Sequence, residues 1–260
     1  MAPTAKGIER LKKALRLETP IIALYDTKPD DSFAPMVEAK GHACSFIYFR
    51  NWVKGETLVV RRGEEGETFM NPRHGCPGLQ SHFGFRKGYP PWMANFLTDG
   101  KNGAPLGEGL KASASLAQEW LDKTRHPSPS GDTILLGPIR TDRWEQVRTV
   151  TFFADPDRFS ALMTLAAFWS SDPDEVHAAF SSGCGLLWEV FHHHTKDRAV
   201  IGCTDIAMRK YIPPEILCIT VSPQRFERMV DFPDDAFLMK SWWNELMDAR
   251  QKGTPVTKDE

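Results

Sequence analysis

Six short segments rich in Val, Ile, Leu and aromatic residues recur along the chain between stretches that carry helix starts. This alternation restricts the fold more than any other feature. The segments are IIALYD (Ile21 to Asp26), TLVVRR (Thr57 to Arg62), TILLGPI (Thr133 to Ile139), TVTFFAD (Thr149 to Asp155), AVIGCT (Ala199 to Thr204) and ILCITV (Ile216 to Val221). Their length and β-branched content read as strands. In ADPDRF, SDPDEV and SPQRF an Asp or Ser stands just before a proline. The first residue can cap a helix while proline takes the opening turn, where a missing N–H is harmless. Helices are therefore expected from near Pro156, Pro173 and Pro223, and also over Pro91 to Leu97, Gly109 to Lys123, Gly185 to His193 and Ala236 to Arg250. Near the start, Ile8, Leu11 and Leu15 recur at helical spacing among Lys and Arg, which predicts an amphipathic helix. The expected class is α/β or α+β.

The order of these elements runs twice. The first pass is a strand (21–26), GHACSFIYFRNW, a strand (57–62), HGCPGLQSHFG and the strand TILLGPI. The second is a strand (149–155), SSGCGLLWEVFHHH, a strand (199–204) ending near Cys203, DIAMRKY and the strand ILCITV. Two pseudo-repeated mixed halves with short strands and flanking helices are the expectation, with Cys44 matching Cys184 and Cys76 matching Cys203. The first half carries an extra Gly- and Glu-rich loop before Cys76. The run TRHPSPSGD suggests a boundary at 125–132, giving halves 1–130 and 131–260, or one fused domain.

With 260 residues, the chain buries an adequate core without disulfides. Lys plus Arg number 32 against 34 Asp plus Glu, with no long basic block, which argues against nucleic acid as a partner. No run of eighteen apolar residues occurs, so a membrane span is not expected. Five cysteines and no secretory leader point to a reducing compartment, the cytoplasm. No G-x-G-x-x-G follows a strand and no G-x-x-x-x-G-K-[ST] occurs, so the familiar nucleotide loops are not supported.

The chemistry lies in the cysteines. Cys76 and Cys184 sit beside proline or glycine, Cys203 follows a glycine near the end of a strand, and Cys44 comes three residues after Gly41. If the halves pack about a pseudo-two-fold axis, four thiolates converge into a metal centre, an iron-sulfur cluster ahead of zinc. The spacings contain no C-x-x-C, and free cysteine is often a small buried hydrophobe; Cys218, inside ILCITV, has that role. A thiol enzyme is the rival reading, with Cys184 at a helix start or Cys76 beside His74 as nucleophile. A third is a metal-free module for a small anionic or aromatic ligand, and Cys76-Pro77 also fits a haem thiolate contact. His42 and His74 each lie two residues before a cysteine and are the candidate catalytic groups, to tune or protonate the centre; His82 is a weaker one. Consecutive His192 to His194 point in different directions on a helix and suit its solvated C-terminus. Arg209 is expected to be exposed, with anion binding as the alternative. Trp169, Trp188, Trp242 and Trp243 are expected in core or interface. Partners would be a small molecule or a redox protein, and oxidoreductase activity is one outcome.

HACSF, HGCPG and SSGCG, with the opening TPIIALYDTKP and the closing IPPEILCITVSPQRFERMVD, resemble the archaeal conserved region (ArCR) family, also catalogued as domain of unknown function 169. The resemblance spans roughly Leu15 to Phe232. It implies cysteine-centred motifs at Cys44, Cys76 and Cys184, and no settled activity.

Overall fold

The computed structural model describes residues 2–41, 44–64, 76–101, 106–124, 126–180, 182–188, 197–202 and 204–253. Its frame is one eight-stranded mixed sheet. The strands are β1 (Ile21–Tyr25), β2 (Met36–Glu38), β3 (Thr57–Arg61), β4 (Thr133–Pro138), β5 (Val147–Ala154), β6 (Val176–Ala178), β7 (Ala199–Ile201) and β8 (Leu217–Val221). They lie in the order β2-β3-β4-β1-β5-β8-β7-β6. The outer pairs β2–β3 and β6–β7 are parallel, and all other pairs are antiparallel.

That order is symmetric about the central β1–β5 pair, in which Ala23 faces Val150. β1 to β4 on one side match β5 to β8 on the other in position and sense. The connections do not match in full. Residues 62–132, between β3 and β4, hold the helices α3 (Pro77–His82), α4 (Met93–Phe96) and α5 (Ala114–Lys123). Among its described residues the stretch 202–216, between β7 and β8, holds one 3-10 turn, Ile206–Tyr211. β4, just past the boundary expected at 125–132, pairs with both β3 and β1, so the sheet runs on across that point.

Every residue of β1 is buried, because both faces of the sheet are covered. Alternation along the strand splits it: Ile21, Ala23 and Tyr25 belong to one core, Ile22 and Leu24 to the other. The first core packs against α1 (Ala5–Leu15), α6 (Pro156–Ala167), α8 (Pro223–Val230) and α9 (Ser241–Lys252). Ile8, Leu11 and Leu15 are the buried stripe of α1, as its spacing predicts. The second core lies under the 3-10 turn Ser45–Tyr48, α2 (Phe49–Val53), α3 and α7 (Gly183–Trp188). In that core Trp52 is fully buried, and its Nε1 donates to Leu136 O at 3.1 Å.

Asp155 and Ser222 cap α6 and α8 just before Pro156 and Pro223, as their sequences predict. The helix expected from Pro173 does not form. There Asp172 Oδ1 accepts from the Asp174 backbone in a local turn, and the chain then extends as edge strand β6, held in register by β7. This aspartate bends the chain rather than starting a helix, a competition open to any Asp-Pro-Asp. Among the described residues no helix is long and apolar enough to cross a membrane.

Candidate functional site

The crossover from β2 to β3 carries Cys44, and the crossover from β6 to β7 carries Cys184. Parallel neighbours require such crossovers, and both lie over the second core. Cys44 stands at the N-cap position of the 3-10 turn Ser45–Tyr48, its side chain making no capping bond; Cys184 is the second residue of α7 and is buried. Cys76 enters from the long β3–β4 connection as the cap of α3, where its Sγ accepts from Leu79 N at 3.3 Å. α7 approaches the 3-10 turn so closely that a Cβ on Gly183 would lie 2.7 Å from the Phe46 ring. Glycine before Cys184 is thus a packing requirement. Thr149 Oγ1 donates to Leu187 O at 2.7 Å and pins α7 to β5.

The three sulfurs line one cavity of about 200 Å3. Its other side is an aromatic cluster from α4, α5 and neighbouring turns, including Tyr89, Trp92, Phe96 and Trp120. Phe180 and Tyr211 complete the aromatic lining. On the same measure one water needs about 15 Å3, so the space admits a small organic molecule. The polar lining, cysteines and tyrosines apart, is His82, Glu108, Ser182 and Asp205.

The sulfurs are electrostatically unequal. Cys184 lies below the ordinary thiol range because the Cys44 thiol donates a hydrogen bond to it, with further donation from the Ser45 side chain and backbone outweighing burial. The Ser45 Oγ to Cys184 Sγ distance is 3.1 Å. Cys44 is held well above its ordinary value by that same bond to Cys184 and by burial. Burial and the proximity of Cys184 push Cys76 up to about 12. The arrangement favours one thiolate, at Cys184, flanked by two thiols.

Two carboxyls share the cavity. Burial, then the neighbouring Asp205, raises Glu108 to about 7, with Lys210 opposing. Burial raises Asp205 despite backbone donation from Ala207, Met208 and Gly183. His82 is buried beside Tyr89, with Nδ1 3.1 Å from the phenolic oxygen.

Of the residues singled out by sequence, the structure brings Cys44, Cys76 and Cys184 together. Cys203, His42, His74 and His192 to His194 lie outside the described residues, as does the side chain of Trp188. Among the described residues no group of three or more His, Cys, Asp or Glu is disposed to hold a metal ion. Cys218 is buried in β8, apart from the cavity lining. Arg209 is a structural tie: it donates to Ile216 O and, at 2.7 Å, to Pro214 O. Sequence reasoning passed over Ser45, Glu108 and Asp205. Ser45 directly follows Cys44 and Asp205 lies two residues past Cys203, so adjacency to cysteine was their available signal; Glu108, in PLGEGL, carries none.

Residues 10–231 match the family described as uncharacterised ArCR, domain of unknown function 169, and the chain belongs to that family. No curated protein and no solved structure matches it.

Proposed function

We propose that the protein binds a small, largely apolar ligand in this cavity and presents it to a reactive Cys184 thiolate, with Cys44 as the adjacent thiol. The observation that supports this reading is convergence: sulfurs from three separate connections line a single aromatic-walled space. A thiolate in such a place is a nucleophile, or one half of a dithiol redox pair. In the second role the protein would be an oxidoreductase. Cys44 holds the proton that the pair shares, and Ser45 orients the Cys184 sulfur. Cys76 walls the site as a neutral thiol.

A metal centre is the second reading, favoured by the position of Cys203 in the sequence, two residues before the cavity-lining Asp205. With Cys203 as a fourth ligand, Cys44, Cys76 and Cys184 would complete a thiolate set suited to an iron-sulfur cluster or zinc.

One preparation separates the two. Protein purified without oxygen is assayed for iron, labile sulfide and zinc, then treated with iodoacetamide and mapped by mass spectrometry. Metal-free protein labelled first at Cys184 supports the thiolate reading. Stoichiometric metal, lost on Cys44→Ser or Cys184→Ser, overturns it in favour of the centre.

A further inference from the structure

Lining charge and lining chemistry together narrow the ligand class. Among the described residues around the cavity, the charged side chains are carboxylic, Glu108 and Asp205, and neither Lys nor Arg contributes. The Asp205 carboxylate already accepts from backbone N–H groups, including Ala207 at 3.0 Å. Glu108 differs: its side chain makes no hydrogen bond or ion pair among the described residues, although it is half-buried. Burial and the nearby Asp205 disfavour its charged form despite the pull of Lys210, and a ligand that sets a positive charge directly against the carboxylate relieves that cost.

The rest of the wall suits a cation with an apolar surface. Tyr89, Trp92, Phe96, Trp120, Phe180 and Tyr211 offer six aromatic rings. Ring faces attract alkylated ammonium groups, most strongly where water is excluded. Three of these rings already hold ammonium groups of the chain itself. Lys111 Nζ lies 4.2 Å from the Phe180 centroid and 5.4 Å from that of Trp120, and Lys210 Nζ lies 5.1 Å from that of Tyr211. Neither lysine lines the cavity. Among the described residues no group of three or more His, Cys, Asp or Glu is placed to hold a metal ion; an organic cation needs no such set.

We infer that the cavity recognises a small organic cation, an alkylated ammonium group set among the aromatic rings with Glu108 as its counter-charge. This rests on the reading of the cavity as a ligand site beside Cys184. It changes the expectation drawn from sequence, in which an anionic ligand was an option.

Choline and its uncharged tert-butyl analogue are the probes. Each is titrated into the full chain while tryptophan fluorescence, to which Trp92 and Trp120 contribute, reports binding; the same mixtures are treated with iodoacetamide to follow Cys184. The expected result is that choline binds roughly 3- to 30-fold more tightly than the analogue, the range of one desolvated cation–π site. Glu108→Gln removes most of that preference. Trp92→Leu weakens it independently, should the glutamine variant fold poorly. Equal binding of the two probes, or binding of neither, overturns the cation assignment. Labelling of Cys184 is read separately: an unreactive Cys184 in a protein that still prefers choline refutes the thiolate reading and leaves the cation assignment standing.

Discussion

Removing the Ser45 hydroxyl should slow the chemistry of Cys184 without touching the sulfur itself. In Ser45→Ala the 3.1 Å contact to Cys184 Sγ is lost, while the Ser45 backbone and the Cys44 thiol still donate. A hydrogen bond to a charged group contributes about 1.5–3 kcal/mol, and about 1.4 kcal/mol is a factor of ten in an equilibrium. Losing this donor disfavours the thiolate, so at a fixed pH below its titration midpoint the thiolate fraction falls roughly 10- to 100-fold. Greater intrinsic nucleophilicity of the more basic sulfur returns part of that, leaving a net slowing of roughly 3- to 10-fold. The assay is the iodoacetamide labelling rate at Cys184 across a pH series, resolved by mass spectrometry. The midpoint should move to higher pH, and the plateau rate above it should be no lower than in wild type. An unmoved midpoint refutes the claim that Ser45 stabilises the thiolate. Ser45 is fully buried, so a denaturant titration accompanies the assay to separate loss of fold from loss of thiolate.

Three further outcomes follow from packing and charge. Gly183→Ala places a methyl against the Phe46 ring and should destabilise the fold by about 1–3 kcal/mol, read as a lower urea midpoint at unchanged slope. Arg225, 3% exposed, pairs with Glu175 at 2.7 Å and donates to Ala166 O, tying α8 to α6 and to the approach to β6. Arg225→Ala leaves Glu175 without that partner and should lower stability by about 3–5 kcal/mol in the same titration. Glu108 titrates near 7 in the fold against an ordinary value of 4.5, so the native state holds the extra proton between those values. Its contribution is fully present below 4.5 and lost as pH rises through 7. Relative to Glu108→Gln, wild type should lose stability between about pH 5 and about pH 8, and parallel profiles would contradict this.

The strands of the sheet centre were legible because each is a run of apolar and β-branched residues long enough to be buried on both faces. β2 and β6 were not. Each has three residues, in the sequences MVE and VHA, too short for any period to register, and each exists only through parallel pairing to a stronger neighbour. The meeting of Cys44 and Cys184 was legible in the order of elements, since both follow matching strands in that order. The cavity was not. Its aromatic side is assembled largely by α4 and α5, helices of the β3–β4 connection that the β7–β8 connection lacks among the described residues, and Trp92 and Trp120 reach the lining through tertiary packing alone. Glu108 stood out by no spacing, because its significance is its half-buried place on the cavity wall, which only a folded chain reveals.

The central claim is that Cys44 and Cys184, remote in sequence, present adjacent thiols to one cavity. Phenylarsine oxide, which needs two neighbouring thiols for tight capture, tests this most directly on metal-free, reduced protein. In a Cys76→Ser background, which removes the third cavity thiol, one equivalent per chain should bind and be lost on adding either Cys44→Ser or Cys184→Ser, and it should persist on adding Cys218→Ser. Capture in that background that survives both Cys44→Ser and Cys184→Ser, or no capture by the folded Cys76→Ser protein, would contradict the account.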